Sequence, residues 1–118
     1  MSWSLDSDRP IFIQIIEHME SDIVSGALPP GSKVPSVREL AADAAVNPNT
    51  MQRALSEMER RGLMHSERTS GRFVTDDESV ISTLKKNIAS AGVESFISSM
   101  RRLGLDRDEV LTMIRENY

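Results

Sequence analysis

Cysteine is absent from the chain, which removes disulfides, thiolate metal sites and cysteine nucleophiles together and is compatible with a reducing cytosol. No run approaches the roughly 20 apolar residues that a membrane-spanning helix needs. The opening Met1-Ser2-Trp3-Ser4-Leu5-Asp6 lacks the basic-then-apolar order of a secretory leader. A soluble, cytoplasmic protein without a membrane partner is therefore expected. Catalytic groups are equally thin. The two histidines, His18 and His65, stand far apart, and no glycine-rich phosphate loop or paired-carboxylate site stands out. Neither an enzyme nor a cofactor or metal site is expected. The 118 residues leave room for one compact domain and a modest appendage, too little for a large catalytic domain. Internal repeats and low-complexity tracts are also missing.

A general excess of positive charge is lacking as well, since the formal net charge is −4. Divided along the chain, however, the balance is uneven. Residues 1–32 carry one Arg against five acids, residues 33–75 carry seven basic against five acidic residues, and residues 76–118 carry six against eight. The middle segment alone is positive, and a local patch decides whether phosphates are attracted.

What is present is a succession of short elements with clear punctuation. Asp8-Arg9-Pro10 offers a polar cap and a first-turn proline ahead of Ile11, Phe12, Ile15, Ile16, Met19, Ile23 and Val24, spaced near 3.6 residues. Gly26 ends that helix, and Leu28-Pro29-Pro30-Gly31 forms a rigid turn. Ser36-Val37-Arg38-Glu39 has the form of a capping box, with Val37, Leu40, Ala41 and Ala44 on one face of the second helix. After only Ala45 and Val46 a third helix begins, with Asn47 as cap and Pro48 in the first helical position. Met51, Ala54, Leu55 and Met58 make its inward stripe and leave Asn49, Gln52, Arg53 and Ser56 outward.

Gly62 closes the third helix, and Leu63-Met64-His65-Ser66 and Arg72-Phe73-Val74-Thr75 are extended runs flanking a polar tip at 67–71. From Asp76 the pattern changes to a long helix marked by Ile81, Leu84, Ile88, Phe96, Met100 and Leu103, with an interruption expected near Ala91-Gly92. A last helix is signalled by Asp106 as cap, Glu109 at the capping-box position and Val110 placed to staple against Leu105.

Two short helices joined by a tight turn, with a hairpin directly afterwards, give the order of a winged helix-turn-helix. The expected fold is mainly α with a small β-hairpin wing: a winged helix-turn-helix over residues 1–75 and a two-helix tail over 76–118. A recognition helix enters the major groove only if its outer face is polar and its first turn is free of bulky apolar groups. Asn47, Pro48, Asn49, Thr50, Gln52 and Arg53 satisfy that requirement. Asn and Gln suit adenine, Arg suits guanine, and hydroxyls suit phosphate. Ser36 and Arg38 on the second helix and Thr69, Ser70, Gly71 and Arg72 at the wing complete the candidate DNA-binding set. Each has a plainer reading: Asn47 caps a helix in any case, Arg38 can pair with Asp43 or Glu39, and Gly71 can serve a positive φ alone.

These runs resemble one family. Gly31-Ser32-Lys33-Val34-Pro35-Ser36-Val37-Arg38-Glu39-Leu40-Ala41, Val46-Asn47-Pro48-Asn49-Thr50-Met51-Gln52-Arg53-Ala54-Leu55, Glu57-Met58-Glu59-Arg60-Arg61-Gly62-Leu63 and Gly71-Arg72-Phe73-Val74 look like the DNA-binding domain of the GntR regulators. The Asn-Pro-Asn-Thr segment and the short tail resemble the YtrA-type branch. The resemblance implies operator contact by Arg38, by Asn47 to Arg53 and by Gly71, and a link to transporter operons. Pro48 stands where many relatives have an arginine, which moves the expected base readout to Asn49, Gln52 and Arg53.

The tail implies a homodimer on physical grounds. Its residues are too few to close a separate core, yet Ile81, Leu84, Ile88, Phe96, Met100 and Leu103 form a stripe that must be covered, either by the winged domain or by a second copy. A two-fold pairing would place two recognition helices on a palindromic site in double-stranded DNA. So small a tail leaves little room for an enclosed effector pocket, and no residue pattern names an effector. The expected function is that of a repressor acting by occlusion. A protein-docking winged helix is the alternative, and it would favour exposed aromatic anchors where this chain has Asn49, Gln52 and Arg53.

Overall fold

A computed structural model describes residues 3–118; Met1 and Ser2, where the leader-peptide reading begins, lie outside the described residues. Five helices and one hairpin follow in the order α1 (Ile11–Ser25), α2 (Val37–Ala44), α3 (Pro48–Arg60), β1 (Met64–Glu67), β2 (Gly71–Val74), α4 (Glu78–Arg102) and α5 (Arg107–Asn117). Contacts divide the chain into two compact units, Met1–Leu84 and Lys85–Tyr118, with the division inside α4. The sequence places the boundary earlier, between Thr75 and Asp76. Val80, Ile81 and Leu84 account for the difference, because they pack against the core of the first unit.

That core is built by the expected stripes. Ile15, Met19 and Ile23 of α1, Leu40 of α2, Met51, Leu55 and Met58 of α3 and Val74 of β2 are fully buried. Each such side chain contributes roughly 1.5–3 kcal/mol by leaving water. At the start of α1 the expectation differs from the structure: Pro10 is the N-cap and Asp8 is not. Gln14 explains the displacement. Only 6% exposed, it accepts from the Asp6 amide and donates to the carbonyls of Asp6 and Arg9, each at 2.8 Å, and so ties the segment before Pro10 to α1.

The turn between α2 and α3 closes through a left-handed residue. Ser36 and Glu39 form the capping box that starts α2, and α2 ends on Ala45 at φ 55°, the sole positive-φ residue other than glycine among the described residues. Asn47 then caps α3 by accepting from the Asn49 amide at 2.8 Å, with Pro48 in the first turn.

The wing is antiparallel, pairing Met64 with Val74, His65 with Phe73, Ser66 with Arg72 and Glu67 with Gly71. Both strands sit one residue away from the sequence reading because Gly71, at φ 107°, opens β2 directly opposite Glu67. Residues 31–34 add a third edge: Gly31 and Val34 donate to the Val74 and Arg72 carbonyls, and Val74 donates back to Ser32.

In the second unit, α4 runs through Ala91 and Gly92 without the expected interruption. A single glycine costs a helix about 1 kcal/mol, too little to break one flanked on both sides by tolerant residues. The α5 capping box is present as expected, with Asp106 and Glu109 exchanging bonds of 2.9 and 3.1 Å.

Candidate nucleic-acid interface

The outward face of α3 follows directly from its inward one. Met51, Ala54, Leu55 and Met58 are buried, so helical geometry turns Asn49, Gln52, Arg53 and Ser56 away from the core, and all four are exposed. Asn47 and Pro48 are exposed at the helix start. The Asn47 Oδ1 is engaged as the cap. Gln52 Nε2 donates to Ser56 Oγ at 3.1 Å, a bond that base pairing would exchange. Arg53 lies over the Phe12 ring of α1, 4.6 Å from its centroid. Thr50 is half-buried and lines a hollow with Leu5, Ile11, Val46 and Asn47, so it is the least open member of this group.

A second group gathers at the wing. Ser36, Thr69, Ser70, Gly71 and Arg72 line one open groove of about 760 Å³ between the start of α2 and the hairpin tip. Gly71 sits at φ 107°, a backbone conformation that calls for glycine, whereas a methyl there would meet only the movable end of the exposed Lys33 side chain, Cε at 3.1 Å. Arg72 is more enclosed than the rest of this group. Its side chain is 15% exposed and turned onto α3, where Nη2 reaches Glu59 at 3.4 Å, so it fixes the wing to the recognition helix. Lys33, in the same groove, and Arg68, exposed at the tip, were not singled out by sequence reasoning. Their signal was their place in the one positive segment. Arg38 is exposed on α2, whereas its neighbour Glu39 is occupied by the capping box.

Ion pairs sort the charges of the middle segment. Arg60 and Arg61 both bind Glu57, and Arg61 also reaches Glu20 of α1 at 3.2 Å. Hydrogen bonds from these two guanidiniums hold the Glu57 carboxyl down at about 2. Ser66 Oγ donates to Glu59 and, with Arg72, lowers that carboxyl as well. Lys33, Arg38, Arg53 and Arg68 are left exposed on α2, α3 and the wing, the elements expected to meet a duplex.

Within the second unit, Val93, Phe96, Ile97 and Met100 of α4 face Leu105, Val110, Leu111 and Ile114 across an apolar hollow of about 520 Å³. Of the six residues expected to cover one another in a dimer, Ile81 and Leu84 are half-buried on the first unit's core, and Met100 is half-buried in the hollow. Ile88 and Phe96 stay exposed, and Leu103 is 71% exposed. Val93, Ile97, Leu111 and Ile114 extend the apolar surface beyond the expected set. Their i, i+3, i+4 and i+7 spacing with Phe96, Met100 and Val110 was the available signal.

Among the described residues, no group of three or more His, Cys, Asp or Glu is arranged to hold a metal ion, and no helix is long and apolar enough to cross a membrane.

A helix-turn-helix with a three-edged wing and an amide- and arginine-bearing recognition face defines a DNA-binding module. Residues 13–74 match the model of the bacterial regulatory proteins, gntR family, and the chain belongs to that family. It is a DNA-binding transcriptional regulator and not an enzyme. It is 38% identical to the HTH-type transcriptional regulator YhcF of Bacillus subtilis over 98% of this chain and 95% of that one. It is 31% identical to the HTH-type transcriptional repressor YtrA of the same organism, over 93% of this chain and 85% of that one. Among solved structures, a GntR family transcriptional regulator from Listeria monocytogenes superposes with a TM-score of 0.89 at 35% identity, covering 97% of this chain and all of that one. The AraR DNA-binding domain in complex with operator ORX1 matches 64% of this chain and 92% of its own, with a TM-score of 0.54 at 28% identity.

Proposed function

We propose that the protein is a repressor that binds a palindromic operator as a homodimer, with α3 in the major groove and the wing against the adjoining backbone. The observation that carries this reading is the outer face of α3, where Asn49, Gln52 and Arg53 are exposed opposite four buried apolar residues. Bidentate groups in that position suit adenine and guanine edges. Lys33, Arg38 and Arg68 supply phosphate contacts that set register without reading sequence.

The dimer is supported by the second unit, whose Ile88, Val93, Phe96, Ile97, Met113 and Ile114 are all more than a third exposed. A second copy pairing α4 and α5 about a two-fold axis would cover them and place two recognition helices on one face of a duplex. The relative YtrA bears the name of a repressor, which supports repression here; a transporter operon as target, in the cytoplasm, is what the resemblance to the YtrA-type branch implies. Aromatic anchors, which a protein-docking face would favour, are missing from the outer face of α3.

Footprinting on the promoter upstream of the protein's own gene, with binding titrated at several salt concentrations, tests the reading. A symmetric protected site and log affinity falling steeply with log salt are expected. No protection together with a flat salt response would favour docking.

A further inference from the structure

Arg53 occupies an environment unlike that of the arginines around it. Helical spacing offers it Glu57, four residues on, as its partner. Glu57 is taken instead by Arg60 Nε and Nη2 and by Arg61 Nε. Arg9 is bound to Glu17 and Arg72 to Glu59, whereas Arg53 has no carboxylate partner among the described residues. Its guanidinium lies over Phe12, which α1 presents from its first turn, 4.6 Å from the ring centroid. Phe12, Gln52, Arg53 and Ser56 line one shallow, open groove with Glu57 and Arg60.

A ring attracts the cation as a whole and consumes none of its in-plane N–H donors. Those donors are the ones that pair bidentately with guanine O6 and N7. Arginine also ranks high in the rotamer freedom it loses on ordering. An aromatic seat beneath it therefore removes part of that loss before the duplex arrives and leaves the reading edge unspent. We propose that Phe12 is a positioning residue for DNA recognition, holding Arg53 over α1 so that its guanidinium meets the base edges already ordered. The proposal rests on the reading of α3 as the base-reading helix.

The test is a double-mutant cycle in full-length protein. The probe is a duplex recovered from a random pool by the wild-type chain, with a scrambled duplex as reference. Arg53→Ala is expected to weaken binding to the selected duplex more than to the scrambled one. Phe12→Leu, which keeps apolar bulk, is expected to weaken binding by about two- to fivefold in the wild-type background and to have no further effect beside Arg53→Ala. Phe12→Tyr, which keeps the ring, is expected to restore the affinity. Thermal unfolding of each variant separates a folding defect from lost positioning. Wild-type affinity in Phe12→Leu, or an equal loss with and without Arg53, would overturn the role of Phe12. Unchanged specificity in Arg53→Ala would overturn it too, while leaving the wider reading of α3 to Asn49 and Gln52. Recovery of no duplex at all would overturn both.

Discussion

Ala45→Gly should stabilise the protein. Ala45 sits at φ 55° and ψ 47°, the left-handed conformation that closes α2 and launches the recognition helix. Holding an L-residue there costs about 1–2 kcal/mol, because Cβ crowds the following carbonyl oxygen. Glycine removes that cost but gives back about 0.5–1 kcal/mol through the larger freedom of the unfolded chain. The Ala45 methyl is exposed, so little apolar burial is lost. Its amide bonds to the Ala41 and Ala42 carbonyls do not depend on the side chain. The balance favours glycine by about 0.5–1 kcal/mol, a rise in Tm of roughly 2–6 °C for a unit of this size. Thermal and urea unfolding would measure it, with DNA affinity unchanged because the turn keeps its geometry. A lower Tm would refute the reasoning, showing that the methyl packs usefully or that no strain is stored in the turn.

Three further perturbations probe separate parts of the structure. Gln14→Ala removes the clamp on the segment before Pro10 and should cost about 1–2 kcal/mol in urea unfolding, with faster proteolysis ahead of α1; unchanged stability would show the clamp to be idle. A chain ending at Leu84 keeps Val80, Ile81 and Leu84 on the core and should sediment as a folded monomer, whereas a dimer would remove the tail as the main interface. Glu57 and Glu59 hold their carboxyls below the ordinary value of 4.5, so the folded state binds fewer protons than the unfolded one. Their stabilisation is complete above that ordinary value and is lost as pH falls below it, for Glu57 down to about 2. Glu57→Gln should accordingly flatten the acid limb of the stability profile, and an unaltered acid limb would show that Glu57 contributes nothing there.

How much was legible in the sequence depended on how local the signal was. Capping boxes at Ser36 and Asp106, the Asn47-Pro48 start and the buried stripe of α3 are written in spacings of three and four residues, and they appear where expected. Features that require two distant segments were not legible. The Gln14 clamp joins residues eight apart, the third edge of the wing joins residues 31–34 to β2, and the boundary in α4 depends on where Val80, Ile81 and Leu84 find a surface. Within the candidate interface, exposure was readable from periodicity, but partnership was not. Arg53 and Arg72 both look like free cations on paper, yet one lies over a phenylalanine and the other is turned onto Glu59. Lys33 went unnoticed because its position beside Gly71 exists only once the hairpin has folded back.

Comparison of wild-type protein with an Asn49→Ala/Gln52→Ala variant, on a selected operator and on a scrambled duplex at the same ionic strength, tests the central claim most directly. If the outer face of α3 reads bases, each side chain contributes roughly 1–3 kcal/mol of discrimination, so the variant should lose at least tenfold on the operator and little on the scrambled duplex. Equal weakening on both duplexes, or none on either, would contradict it.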